Sequence, residues 1–180
     1  MVKQYPEGKA STHLHSLAPG ESLFFLTVLK GYQWTPNKYP HITLIAGGAG
    51  ITPIYQLIQG ILRNPEDKTN ITLVFGVNSD EDVLLKREFD DFEQQFPGRF
   101  KAVYTVSHPV KGSPFRMGYV TKALLEDVAV KSSEKNTKVF VCGPPAMEAA
   151  LFGSRGYGFG GGQSGILEQL GYSKDQVHKF

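Results

Sequence analysis

The chain has 180 residues, of which 41% are hydrophobic and 12% aromatic, enough for one good core or for one domain and part of another. A formal net charge of +2, with no run of lysine and arginine to concentrate it, argues against nucleic acid as a partner. The single cysteine, Cys142, excludes an internal disulfide and a cysteine metal cage, and no apolar segment approaches the roughly 20 residues that span a bilayer. The first residues, MVKQYPEGKAST, lack the apolar stretch of a signal peptide, so the sequence reads as a soluble protein of a reducing compartment.

In chain order, residues 1–35 hold a short helix over Ser11–Leu17, a turn at Pro19-Gly20 and a strand over Ser22–Leu29. One or two strands cannot bury both faces unaided, so this part reads as the tail of an all-β domain. From His41 onward strand and helix signals alternate. Ile42–Ala46 predicts a buried strand, and Pro53–Arg63 a helix ended by Asn64-Pro65. Ile71–Phe75 predicts a second strand, followed by a polar loop to Asp82 and a helix over Leu84–Gln95 with Leu85, Phe89 and Phe92 on one face. Phe100–Val106 is the third strand. A loop over Ser107–Gly118 leads to a helix at Thr121–Val128, with Thr121 or a neighbour as its cap. Lys138–Cys142 is the fourth strand, broken by Gly143-Pro144-Pro145 into another short helix. Gly153–Gly165 is glycine-rich and predicts a mobile loop, Gly165–Leu170 a helical turn, and Val177–Phe180 a last strand. Continuous apolar strands alternating with helices predict an α/β fold: a five-stranded parallel sheet of order 3-2-1-4-5 with helices on both faces.

Two turns carry the chemistry. In HITLIAGGAGITP the first strand runs into Gly47, Gly48 and Gly50, which permit a tight turn and close approach of a ligand phosphate to the backbone. Pro53 replaces the third glycine of the usual dinucleotide fingerprint and suits the first helical position, with Thr52 as the N-cap. A structural turn that binds nothing is the competing explanation. In VFVCGPPAM, Gly143 leaves room for a flat ring while Pro144 and Pro145 stiffen the wall. Alone, Gly-Pro-Pro is an ordinary turn. Next to the first turn, at the carboxyl edge of a parallel sheet, it marks a ligand crevice between Gly50 and Gly143. His13 and His15 lie two apart and cannot share a helix face, so no metal site is expected there, and His41, His108 and His178 are isolated. Tyr32 and Trp34 read as packing at a domain junction.

The pair AGGAGITP and VFVCGPPAM resembles the ferredoxin–NADP reductase-like flavoenzymes, and most closely the NADH–cytochrome b5 reductases. LLKREFDDFE, GYVTKALL and SGILEQLGYSKDQVHKF add a similarity to the fungal mitochondrial form. The resemblance implies residues 1–35 as the C-terminal remnant of an FAD-binding antiparallel β-barrel and residues 36–180 as an NAD-binding α/β domain. It implies FAD and NADH as cofactors and cytochrome b5 or a similar haem protein as electron acceptor. It further implies a mitochondrial setting, outer membrane or intermembrane space, with membrane attachment only through an N-terminal anchor that this sequence lacks. Carried over by residue, Gly8, Lys9, Ala10 and Ser11 would hold the FAD pyrophosphate, with a helix cap as the alternative for Ser11. Gly47, Gly48, Gly50 and Pro53 would receive the NADH pyrophosphate, and Gly143, Pro144, Pro145 and Met147 would flank the nicotinamide. Thr52 and Cys142 would stand nearest the hydride path, unless Cys142 is only a small buried residue. Asp82 would favour NADH over NADPH by repelling an extra phosphate, or else serve as an acidic helix start.

The sequence departs from this family in three places: no Arg-x-Tyr-[Ser/Thr] flavin motif is present, Ala49 stands where threonine is usual, and Gly153–Gly165 replaces the usual segment. Two functions follow. One is an NADH-dependent flavoprotein reductase; the alternative is a truncated nucleotide-binding remnant without electron transfer.

Overall fold

A computed structural model describes residues 2–27, 31–134, 136–153 and 163–180. The chain divides into two units, Met1–Trp34 and Thr35–Phe180. The first holds one helix, α1 (Lys9–Ser16), and no described residue of it is buried. Leu23, Phe24, Phe25 and Leu26 are exposed, Phe24 and Leu26 to 89%. The strand expected over Ser22–Leu29 does not form in residues 22–27; its last two residues lie outside the described ones. A strand needs a partner for its backbone groups, and none is at hand among the described residues of this segment.

The second unit runs β1 (His41–Gly47), α2 (Ile51–Leu62), β2 (Asn70–Val77), α3 (Lys86–Gln95), β3 (Phe100–Val106), β4 (Arg116–Met117), α4 (Lys122–Val128), β5 (Thr137–Cys142), α5 (Pro145–Phe152), α6 (Ile166–Gln169) and β6 (Val177–Lys179). Its sheet is parallel throughout, in the order β4-β3-β2-β1-β5-β6. The five expected strands keep the order 3-2-1-4-5 as β3-β2-β1-β5-β6. The sixth, β4, is the correction: two residues of the expected Ser107–Gly118 loop pair with Thr105 and Val106. So short a strand leaves no periodicity to read.

Alternation along the strands assigns the two faces. Ile45, Val74, Val103, Val139 and Val141 pack with Leu124, Leu125, Leu151 and Leu167 of α4, α5 and α6. The intervening positions, Leu44, Leu73, Phe100 and Phe140 among them, are buried on the opposite face, where α2 supplies Ile54, Ile58 and Ile61. There Phe89 of α3 stacks on Phe100 at 5.9 Å between ring centres, and Tyr55 of α2 meets Phe89 edge-on at 5.8 Å. Helix α2 begins two residues earlier than the periodicity predicts and α3 two residues later. Leu85, expected on the apolar face of α3, takes a left-handed φ of 59° and stands at its N-cap. The Thr121 cap holds, its hydroxyl accepting from the Leu124 N–H at 3.2 Å. The glycine-rich Gly153–Gly165 stretch lies mostly outside the described residues; at its ends Gly153 and Ser164 form an isolated antiparallel bridge.

Polar anchors secure the sheet where backbone groups lack strand partners. The Glu93 carboxylate accepts from the Ala102 N–H of β3 at 2.7 Å, and the buried Thr43 hydroxyl of β1 accepts from Val130 N–H at 3.0 Å. Tyr172 donates its hydroxyl to the Val130 carbonyl, and burial pushes that hydroxyl's pKa up to about 12. Replacing Thr43 by valine keeps the side-chain shape but orphans a buried N–H. The expected cost is about 1–3 kcal/mol of unfolding free energy, read from urea denaturation.

Candidate dinucleotide site

The first turn leaves β1 at Gly47 and enters α2 through a 3-10 turn, Gly48–Gly50. Gly48 has a φ of +50° and its Cβ position is open, so its glycine is required by backbone conformation. Helix α2 begins at Ile51, two residues before the expected start. Thr52 is therefore not the N-cap; Gly50 holds that place, and Pro53 is the third helical residue rather than the first. The first turn still tolerates the proline, since its N–H would have no intrahelical acceptor there. Thr52 donates its hydroxyl to the Ala49 carbonyl at 3.0 Å and so braces the turn.

The second turn leaves β5 at Cys142 and starts α5 at Pro145. The expected approach of the two turns is present. A Cβ on Gly50 would collide with the Cys142 carbonyl and stand 3.0 Å from the Gly143 nitrogen. Gly47 is open to close approach as expected, but by protein: its Cβ would lie 2.6 Å from Pro144 Cδ and 2.9 Å from Met147. The Cys142 thiol is half-buried, and burial pushes its pKa up, with Glu148 adding to the rise and Lys179 opposing it. It is a neutral thiol near neutral pH. Glu148 and Lys179 pair at 2.6 Å, tying α5 to the last strand.

Asp82 stands after β2 as expected, but its carboxylate accepts from the N–H of Ser79 at 3.1 Å and from its hydroxyl at 2.8 Å, closing a capping box in its own turn. That is the acidic-start alternative in local form. Asp80 performs the longer-range work. It accepts from the Val110 N–H at 3.0 Å and from the Ser113 side chain, and these bonds hold its pKa below the ordinary carboxylate value. Gly8, Lys9, Ala10 and Ser11 gather at the start of α1, where Gly8 is the N-cap residue. Ser11 is not the cap; its hydroxyl donates to the Gly8 carbonyl at 3.0 Å and accepts from the Tyr5 N–H at 3.1 Å.

Sequence reasoning missed two parts of this edge. One is Gly76, the last residue but one of β2, which is level with Gly47 and whose Cβ would lie 3.1 Å from Met147 and 3.3 Å from the Thr105 hydroxyl. The repeated pattern ITLIAG and ITLVFG was the available signal. The other is a depression of about 390 Å³ beside β3 and β4, lined by Thr105, Tyr119 and the Arg116–Asp127 ion pair, which closes at 3.1 Å. Thr105 is 2% exposed and its hydroxyl has no hydrogen-bond partner. The Tyr119 ring is exposed. Among the described residues no group of three or more histidine, cysteine or acidic side chains could hold a metal, and no helix is long and apolar enough to cross a membrane.

Two measurements check this geometry. Gly50→Ala is expected to drive the turns apart and cost about 1–3 kcal/mol. Gly60→Ala, in the interior of α2 with open space at its Cβ, is expected to add about 0.5–1 kcal/mol. For Asp80 the lowered pKa means that its anchoring is present above the unfolded carboxylate value and is lost as pH falls through the lower folded value. Hydrogen exchange at the Val110 amide should stay protected near pH 4 in the wild type, and the Asp80→Ala variant, which has no acceptor, should lose that protection at every pH.

Comparison with known proteins shows the family of the α/β unit. Residues 44–151 match the oxidoreductase NAD-binding domain family. The chain is 51% identical to NADH-cytochrome b5 reductase 2 of Emericella nidulans and 47% identical to that of Pyricularia oryzae. Both alignments take in 100% of the chain but only 56% and 55% of those relatives, so the chain spans about half their length. Its fold superimposes on the cytochrome b5 reductase domain of Ulva prolifera nitrate reductase with a TM-score of 0.83 at 27% identity, covering 100% of the chain and 68% of that domain. The CS-b5R domains of human Ncb5or share the fold, with a TM-score of 0.73 at 20% identity over 99% of the chain and 47% of that structure. The chain belongs to the oxidoreductase NAD-binding domain family.

Proposed function

We propose that the α/β unit holds NADH for hydride transfer to FAD, from which electrons pass singly to cytochrome b5 or a similar haem protein. The observation that carries this reading is the contact of Gly50 with the Cys142–Gly143 peptide, which joins the two turns at the carboxyl edge of the sheet. At this point the strand order reverses, with β2 on one side of β1 and β5 on the other. Open parallel sheets bind dinucleotides there.

In this reading Gly47, Gly48, Gly50 and Pro53 receive the pyrophosphate against the start of α2. Gly143, Pro144, Pro145 and Met147 flank the nicotinamide, with Thr52 and Cys142 nearest the hydride path. The protonated Cys142 thiol serves as a compact wall; hydride transfer is the chemistry of the cofactors, and the protein supplies position. The adenosine lies toward the depression at Thr105 and Tyr119, where a buried hydroxyl and an exposed ring offer a hydrogen bond and a stacking face. Asp82 disfavours NADPH through its charge alone, its oxygen being tied to Ser79. Relatives named NADH-cytochrome b5 reductase 2 support the acceptor; the mitochondrial setting rests on the resemblance of the C-terminal segment to the fungal mitochondrial form.

Residues 1–34, proposed as part of a flavin-binding barrel, do not by themselves fit FAD. None of their described side chains is buried, and Ser11 is committed to Tyr5 and Gly8. The same observation favours a second reading, a unit that binds NADH without transferring electrons. The absorption spectrum of the purified 180-residue chain separates the two. We expect weak or no flavin retention together with measurable NADH binding. A tightly bound flavin bleached by NADH would establish the complete reductase in this chain, and absence of NADH binding would refute the shared premise.

A further inference from the structure

Met147, in the first turn of α5, stands at the carboxyl edge of the sheet. Register sets Gly47 beside Gly76, and Gly143 directly follows Cys142, the partner of Ala46. Three residues without side chains thus stand at one level: Gly47 ends β1, Gly76 is the last residue but one of β2, and Gly143 follows β5. The Met147 side chain lies against all three. Cβ atoms built on Gly143, Gly47 and Gly76 would stand 2.7 Å from its Sδ, 2.9 Å from its Sδ and Cε, and 3.1 Å from its Cε. The thioether therefore runs from the end of β5 across β1 to β2. Beyond Gly76 lie Val120 and the unpartnered Thr105 hydroxyl of the depression.

Gly50 and Met147 act from opposite faces of the sheet. Gly50 leads into α2 and sets how near the two turns come on that side. Met147 fills the crevice from the α5 side. An unbranched thioether with three rotatable bonds suits such an irregular gap, where a branched side chain of similar bulk would not reach across.

Resting on the NADH reading above, we propose that Met147 is a positioning residue: its thioether props the nicotinamide turn at Gly143 against the pyrophosphate turn at Gly47, so that both ends of NADH are engaged at once. The pyrophosphate turn is held independently by β1 and by the Thr52–Ala49 bond. Loss of the prop therefore falls on the nicotinamide end.

The test compares the affinities of NADH and ADP-ribose, which lacks the nicotinamide, for the 180-residue chain by calorimetric titration, with melting temperature recorded alongside. Met147→Ala is expected to reduce the preference for NADH over ADP-ribose roughly tenfold while ADP-ribose affinity stays within about twofold. Met147→Leu, too short to reach Gly76, is expected to lose roughly threefold of that preference. A loss shared equally by both ligands, or an unchanged preference, overturns the proposal; Met147→Leu decides the matter alone should Met147→Ala fail to fold. Equal wild-type affinity for the two ligands also overturns it. A wild-type chain that binds no ADP-ribose refutes the NADH reading itself, a separate result.

Discussion

A backbone contact governs the candidate site. The Gly50 backbone rests on the Cys142 carbonyl so closely that no side chain fits between them. That contact requires β1 and β5 to be neighbours in register, which Ala46 opposite Cys142 provides. It also requires α2 to start at Ile51, immediately after the 3-10 turn. Sheet order, helix start and crevice width are thus one constraint seen three ways.

The core makes that constraint rigid. Both faces of β1 and β2 are covered, so every central side chain from Ile42 to Ala46 is buried. Each apolar side chain so buried contributes about 1.5–3 kcal/mol, and sliding a strand by one residue would exchange its two faces entirely. The polar exceptions are placed where they close a ladder or a loop. Thr43 serves the Val130 N–H, and Glu93 caps an edge amide of β3 beyond the reach of the two-residue β4. Precision at the carboxyl edge follows from register specified deep inside the sheet.

What could be read in the sequence was what repeats. The apolar runs of β1, β2, β3 and β5 give the sheet, and the chain order of helices between them gives its topology. The glycines at 47, 48 and 50 and the Cys142–Pro145 turn announce themselves as breaks in that rhythm. Local hydrogen bonding was not legible. Thr52 has the composition of a cap, yet its hydroxyl bonds backward to Ala49 because the turn supplies an earlier helix start. Asp82 has the position of a carboxylate that would repel an extra phosphate, yet Ser79 three residues before it completes a capping box. Asp80, which ties the distant Val110–Ser113 loop, could not be singled out among three consecutive acidic residues. Met147 was legible as a neighbour of the second turn. Its reach to Gly76 depends on strand register, which periodicity alone does not supply.

The two units differ in what their own residues can enclose. Thr35–Phe180 buries a continuous core and positions two glycine turns with ångström tolerances, so its geometry is specified from within. Met1–Trp34 leaves Phe24, Phe25 and Leu26 in water and holds α1 chiefly through short-range bonds such as Ser11 to Gly8 and Tyr5. A flavin site must exclude water and fix a large planar ring, which calls for buried apolar walls. A dinucleotide pyrophosphate needs mainly a rigid edge of backbone amides and tight turns, and a parallel sheet supplies these as a by-product of its own packing. Of the two proposed sites, the dinucleotide turns are therefore the one whose physical requirements the described residues of this chain meet.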